Sequence, residues 1–289
     1  MAIQRSSERL PVVVYTPESQ LRHPRQLVRS MVSDLLASRE LAWRLLVRNI
    51  SAQYRQSLLG YFWAFLPPIF TTLVWMFLNS QKILNVGETD IPYPAYVMVG
   101  TLLWQGFVDA LNSPIKLITS SRAMLAKINF PREALILAGL GEVLFNFAIR
   151  LVLMLVVFVW FRIAVPPTIL LAPFGILALM ALGLMIGILL TPLGMLYGDI
   201  GRGLAIITTL WFYVTPVVYP PPTTWPASLL AQINPVSPLL LTTRELLTTG
   251  TVSQPGNFLL ITGVTFGLML VGWVLYRVAM PHLIARIGA

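Results

Sequence analysis

Six apolar runs dominate this chain and leave little polar sequence from which a separate domain could be built. A bilayer core of about 30 Å needs roughly 20 apolar residues in helical form. The runs are Leu58–Leu78, Tyr93–Leu111, Ala134–Phe161, Thr168–Leu196, Leu204–Tyr219 and Phe258–Ala279. Only the break Gly198-Asp199-Ile200-Gly201-Arg202-Gly203 separates the fourth from the fifth, and it reads as a turn at the membrane edge. Composition agrees: 56% of residues are hydrophobic and 11% charged, where soluble domains carry about a quarter charged. The expected fold is an all-α membrane protein with six transmembrane helices. It divides into a leader (1–57), a membrane domain (58–280) and a short tail (281–289).

Charge placement orients it. Sixteen of the 20 Lys and Arg residues fall in the leader, the second and fourth connections, and the tail. Lys82, Arg162 and Arg244 fall on the other side, and Arg150 lies inside a run. The cation-rich side is cytoplasmic, so both termini are expected there, as an even number of spans requires. The net charge of +9 sits beside the apolar runs and predicts no nucleic-acid partner. Residues 1–57 lack an early apolar segment, so the first span is expected to act as an uncleaved insertion signal.

Two cytoplasmic elements stand out. In Asp34–Ile50, Leu36, Trp43, Leu46, Val47 and Ile50 share one helical face, and Arg39, Glu40, Arg44, Arg48 and Asn49 crowd the other. That pattern suits a helix lying in the headgroup layer, or one packed on a partner protein. The connection Asn112–Glu133 is too polar to span. Pro114 and Pro131 bracket a helical segment, Ile115–Ile128, that a soluble partner can push. On the opposite side, prolines interrupt the apolar pieces Leu229–Ile233 and Pro238–Leu247. They read as two re-entrant half-helices covered by protein or a water-filled cavity, or as one surface helix on the outer leaflet.

No P-loop, H-E-x-x-H or G-x-S-x-G sequence occurs, and cysteine is absent. The chain is therefore not read as an enzyme, and its energy must come from an ion gradient or another polypeptide. A gradient-driven carrier keeps ionisable groups in its spans; the candidates are Asp109, Glu142 and Arg150. Glu142, Asn146 and Arg150 are spaced as a polar strip facing a conduit or as a self-satisfied ladder, and Asp109 is expected to be solvated. Many aromatic residues, Tyr219 among them, suit the interfacial belt, but the Trp211-Phe212-Tyr213 run suits a surface over which a sugar polymer slides.

Four ordered motifs resemble one family. Residues 54–68, Tyr-Arg-Gln-Ser-Leu-Leu-Gly-Tyr-Phe-Trp-Ala-Phe-Leu-Pro-Pro, are similar to the first-span signature of type-2 ABC exporter permeases for polysaccharides. Lys127-Ile128-Asn129-Phe130-Pro131-Arg132-Glu133 resembles their cytoplasmic loop. Gly198-Asp199-Ile200 with residues 211–220, Trp-Phe-Tyr-Val-Thr-Pro-Val-Val-Tyr-Pro, resembles their fifth-span pattern. Asn234-Pro235-Val236-Ser237-Pro238 resembles their outer-loop motif. The likeness covers about residues 35–280, and Glu142 departs from it.

The resemblance implies a multi-pass homodimer in the bacterial inner membrane, with a cytoplasmic ABC ATPase dimer that binds Mg-ATP; no cofactor is implied in this chain. It also implies an interfacial N-terminal helix, a coupling helix before the third span and re-entrant periplasmic helices before the sixth. The expected cargo is lipid-linked polysaccharide, O-antigen first, with capsule, teichoic acid or another lipid or drug as alternatives. Arg122, Lys127, Phe130, Pro131 and Arg132 are expected at the ATPase contact, and Tyr54 and Arg55 at the cargo entrance. Trp211, Phe212, Tyr213 and Tyr219 are expected to line the channel. Asn234, Pro235, Ser237, Pro238 and Arg244 are expected at the periplasmic gate.

Overall fold

The structure, a computed structural model, describes residues 24–55, 60–83, 86–128 and 130–287. The start of the predicted leader, the opening residues of the first apolar run (Leu58 and Leu59), Asn129 of the loop motif and the end of the tail lie outside the described residues. Among those described there are ten α-helices and no strand. They are α1 (Pro24–Arg55), α2 (Leu66–Ser80), α3 (Tyr93–Ser120), α4 (Arg122–Lys127), α5 (Glu133–Trp160), α6 (Ala172–Leu196), α7 (Asp199–Val214), α8 (Ala227–Ile233), α9 (Val236–Thr248) and α10 (Pro255–Ile287).

By length and composition, three helical stretches can cross a bilayer: Glu133–Trp160, Pro167–Leu196 and Pro255–Leu283. They correspond to the third, fourth and sixth apolar runs. Much of their surface is apolar and turned outward, as at Val152, Leu155 and Val159 on α5 and Leu259, Leu260 and Leu270 on α10. Lipid can solvate such faces, provided every backbone group is satisfied within the helix.

The centre is α3, packed against α2, α5, α6, α7 and α9. Its partner α6 approaches at backbone distance. A Cβ on Gly183 would collide with the Phe107 carbonyl oxygen, and one on Gly187 with that of Leu111. In lipid no hydrophobic force drives helices together, so small residues that allow close van der Waals contact carry the association. The pair buries Phe107, Leu111, Leu179 and Met180 almost completely. Around this pair, α10 lies on α6, α9 contacts both α6 and α10, and α1 packs along α5.

Three sequence-based boundaries need correction. First, the run Leu58–Leu78 is not one helix. Gly60 has φ +49°, residues Gly60–Ala64 form a 3-10 turn, and α2 starts at Leu66. Pro67 and Pro68 explain the start, because proline has no amide hydrogen and is best accommodated in a helix's first turn. Second, Pro114 does not divide the second run from a separate helix. The helix α3 continues to Ser120 with Pro114 inside it, since Ile115, Leu117 and Ile118 extend its buried face. The predicted Ile115–Ile128 helix is thus the end of α3 plus the short α4. Third, the turn between the fourth and fifth runs is confined to Tyr197 and Gly198. Asp199 opens α7, where a carboxylate favours the positive end of the helix dipole.

Enlarging the α3–α6 contact tests this core. Gly187→Val should lower the thermal unfolding midpoint of the purified protein by roughly 5–10 °C, because a backbone carbonyl cannot yield to a side chain. Gly201→Ala, with no neighbouring atom within 4 Å, should leave it unchanged.

Candidate functional site

An open cleft of about 510 Å³ lies between α2, α3 and α7. On α3 its wall is Thr101, Trp104, Gln105, Val108 and Asp109, the i, i+3, i+4, i+7, i+8 spacing of a single helical face. Phe70, Thr71, Val74 and Trp75 come from α2; Thr208, Thr209, Phe212 and Tyr213 come from α7. Of the four aromatic residues expected to line a conduit, Phe212 and Tyr213 do line this cleft. Trp211 packs behind it, its ring 5.5 Å from Phe107 and 6.4 Å from Trp104. Tyr219 lies at the α7 exit, where its hydroxyl donates to the Tyr213 carbonyl at 2.7 Å.

Asp109 is ion-paired as well as partly exposed. Arg150 of α5 donates to its Oδ2 at 2.6 Å, with side-chain exposures of 12% for Arg150 and 34% for Asp109. Glu142 takes a different partner, accepting from Asn49 Nδ2 of α1 at 2.6 Å. The spacing of Glu142 and Arg150 therefore marks two attachments of α5, one to α1 and one to α3.

The α3–α5 connection is tied to two other helices. Arg122 Nη2 donates to the carbonyls of Gly194 and Met195 at 3.2 and 2.6 Å, satisfying the C-terminus of α6. Phe130 packs against a core patch that includes Leu135, Ile188, Tyr276 and Met280. Lys127 is exposed, while Pro131 and Arg132 are half-buried. Just beyond, the buried Glu133 accepts from Arg277 Nη1 at 2.9 Å, and the other amino group of Arg277 reaches Asp34 on α1 at 2.5 Å. Sequence reasoning missed this junction of α1, α5 and α10. Residues 34, 133 and 277 share no spacing, and Arg277 counted only as a cation near a span.

Three faces share α1. Leu27, Met31, Ala42 and Leu45 are buried, Val32, Leu36, Trp43 and Val47 form an exposed apolar stripe, and Glu40, Arg44 and Arg48 are exposed and charged. The expected apolar face is present, and a second one, toward α5, accompanies it. Tyr54 and Arg55 end the helix. Arg55 is exposed, and the Tyr54 side chain lies outside the described residues.

At the opposite end, α8 and α9 are the two short helices expected from the prolines. Asn234 joins them to α7: its Oδ1 accepts from Trp211 Nε1 at 2.9 Å and from the Val236 amide at 3.0 Å, and its Nδ2 donates to Thr215 at 2.8 Å. Pro235 is half-buried, and Ser237 and Pro238 are buried. Arg244, counted as an outer cation, is 3% exposed. Its guanidinium lies 3.8 Å from the Tyr96 ring centroid and donates to the Pro216 and Val217 carbonyls. Only a glycine at position 100 leaves room for it, since a Cβ there would strike both Arg244 and Val217.

The ABC-2 type transporter family matches residues 40–247. The chain is 30% identical over 214 residues to the O-antigen export system permease protein RfbA of Myxococcus xanthus, covering 73% of this chain and 81% of that protein. Two Klebsiella pneumoniae proteins with the same description are 24% and 23% identical. They cover 80% of this chain each, and 91% and 88% of their own lengths.

The Asp34–Arg277–Glu133 junction yields a stability prediction. Arg277→Met should destabilise the protein by about 3 kcal/mol, because it leaves the Glu133 carboxylate buried and unpaired. The double variant Arg277→Met/Glu133→Leu should recover most of that loss in thermal unfolding.

Proposed function

The chain belongs to the ABC-2 type transporter family, and from that premise we propose that it is the membrane subunit of an ATP-driven exporter of lipid-linked polysaccharide, O-antigen being the cargo. The observation that carries this reading is the cleft between α2, α3 and α7. Aromatic faces supply stacking without tight directional bonds, and threonine, glutamine and aspartate side chains among them offer partners to sugar hydroxyls.

In this reading the protein crosses the inner membrane six times, with both termini in the cytoplasm. The 15 residues of α2 rise about 22 Å, and the preceding 3-10 turn adds about 10 Å, enough together for a span. The same argument lets α7 and residues 215–219 serve as the fifth. Two copies pair with their clefts facing each other, since α2 and α7 flank the cleft with exposed apolar residues such as Phe70, Leu73, Ile207 and Leu210. The α1 stripe of Val32, Leu36, Trp43 and Val47 rests in the cytoplasmic headgroup layer, and Tyr54 and Arg55 stand where the cargo's charged headgroup enters. Burial of α9 supports the re-entrant reading, in which the outer gate is this packed segment held by Asn234 and Arg244.

The motor is a separate cytoplasmic ABC ATPase dimer carrying Mg-ATP. It meets the connection around Lys127, Phe130, Pro131 and Arg132. A push there travels through the Arg122 bonds to the end of α6, and hence to α3, which forms one wall of the cleft. Arg122 thus transmits the movement. Lys127→Ala/Arg132→Ala should lower stimulation of the ATPase about tenfold, the cost of about 1.4 kcal/mol at the docking surface, with membrane insertion intact. Sealed vesicles holding both subunits should move labelled lipid-linked glycan with ATP and no ion gradient. Transport driven by a gradient without the ATPase would sink this reading.

A further inference from the structure

The charge of the cleft separates kinds of polysaccharide that the family motifs leave together. Among the described residues, its lining contains no lysine, arginine or histidine. The one charged group on the wall is the Asp109 carboxylate; Arg150 stands behind it on α5, more buried and outside the lining. Arg150 donates to Oδ2, and the carboxylate is part of the cleft lining. One turn earlier, Gln105 has a buried Oε1 without a partner. Trp75 and Trp104 belong to the same lining.

This donor and acceptor set matches an uncharged sugar. The aliphatic face of a pyranose stacks on an indole, adjacent hydroxyls donate to a carboxylate oxygen, and the glutamine amide both donates and accepts. A polymer with a phosphate or carboxylate in each repeat meets like charge at Asp109 and no cation on the wall. The carboxylate is more exposed than the guanidinium paired with it, so an anion at the wall meets the negative end of that pair first.

We propose that Asp109, held in place by Arg150, makes this cleft a subsite for uncharged glycan segments and turns polyanionic chains away. The proposal rests on the conduit reading above and adds to it the class of polymer carried. The subsite contacts the sugar chain, and the anionic lipid anchor does not pass through it.

Equilibrium binding tests this with the full-length protein in phosphatidylcholine nanodiscs, read by tryptophan fluorescence. The probes are maltoheptaose and an oligogalacturonate of equal length. The wild type should bind the neutral oligomer at least about tenfold more tightly than the anionic one, and Trp75→Ala should weaken the neutral binding. Asp109→Asn should bring the two affinities together. Thr209→Lys, which leaves the Asp109–Arg150 pair in place, should reverse the order. Equal binding of both oligomers by the wild type, or an unchanged ratio in both charge variants, would overturn the selection and leave the conduit standing. Binding of neither oligomer would overturn both, whereas failure of ATP-driven export with this binding intact would count against the exporter reading alone.

Discussion

The close approach of α3 and α6 is the contact on which the other elements depend. Gly183 and Gly187 bring α6 to the carbonyls of Phe107 and Leu111, a contact made by removing side chains. It matters more here than in a soluble protein, because lipid is as good an apolar solvent as another helix. Once α3 and α6 are joined, α3 still offers a face with Thr101, Trp104, Gln105, Val108 and Asp109 to α2 and α7. The same helix pair that holds the fold together therefore positions a wall of the cleft.

Polar groups then tie the peripheral helices to this pair. Arg150 joins α5 to α3 through Asp109, Glu142 joins α5 to α1 through Asn49, and Arg122 closes the end of α6. Arg277 gathers α1, α5 and α10, and Arg244 pins the segment after α7 against Tyr96. These pairs are costly to break, because each buried charge would lose its compensation. They give the helices definite relative positions, and they join the α3–α5 connection to the end of α6 and the start of α5 to α10.

Much of this was legible in the sequence. Apolar run length located α5, α6 and α10, and prolines marked the short α8 and α9. The Asp34–Ile50 pattern found α1 and its exposed stripe of Leu36, Trp43 and Val47. Helix starts were less legible where local chemistry overrides the apolar pattern, as at Pro67-Pro68 and Asp199. Pro114 misled because burial of Ile115, Leu117 and Ile118 outweighs one missing amide hydrogen bond. Within the cleft, Phe212 and Tyr213 are on the lining and Trp211 packs behind it, a difference of helix face that a run of three aromatic residues does not record. The ion pairs were hidden for a geometric reason. Asp109 with Arg150, and Asp34 with Glu133 and Arg277, meet only after the helices pack, and no local spacing records the meeting.

The central claim is that glycan moves along the cleft and that the outer apolar face of α5 meets lipid. A photo-reactive phenylalanine analogue at position 213 or at position 155 tests it most directly, in vesicles exporting glycan with ATP and the partner ATPase. The account predicts ATP-dependent adducts to glycan from position 213 and adducts to lipid from position 155. Glycan captured at 155 and absent at 213 would contradict it.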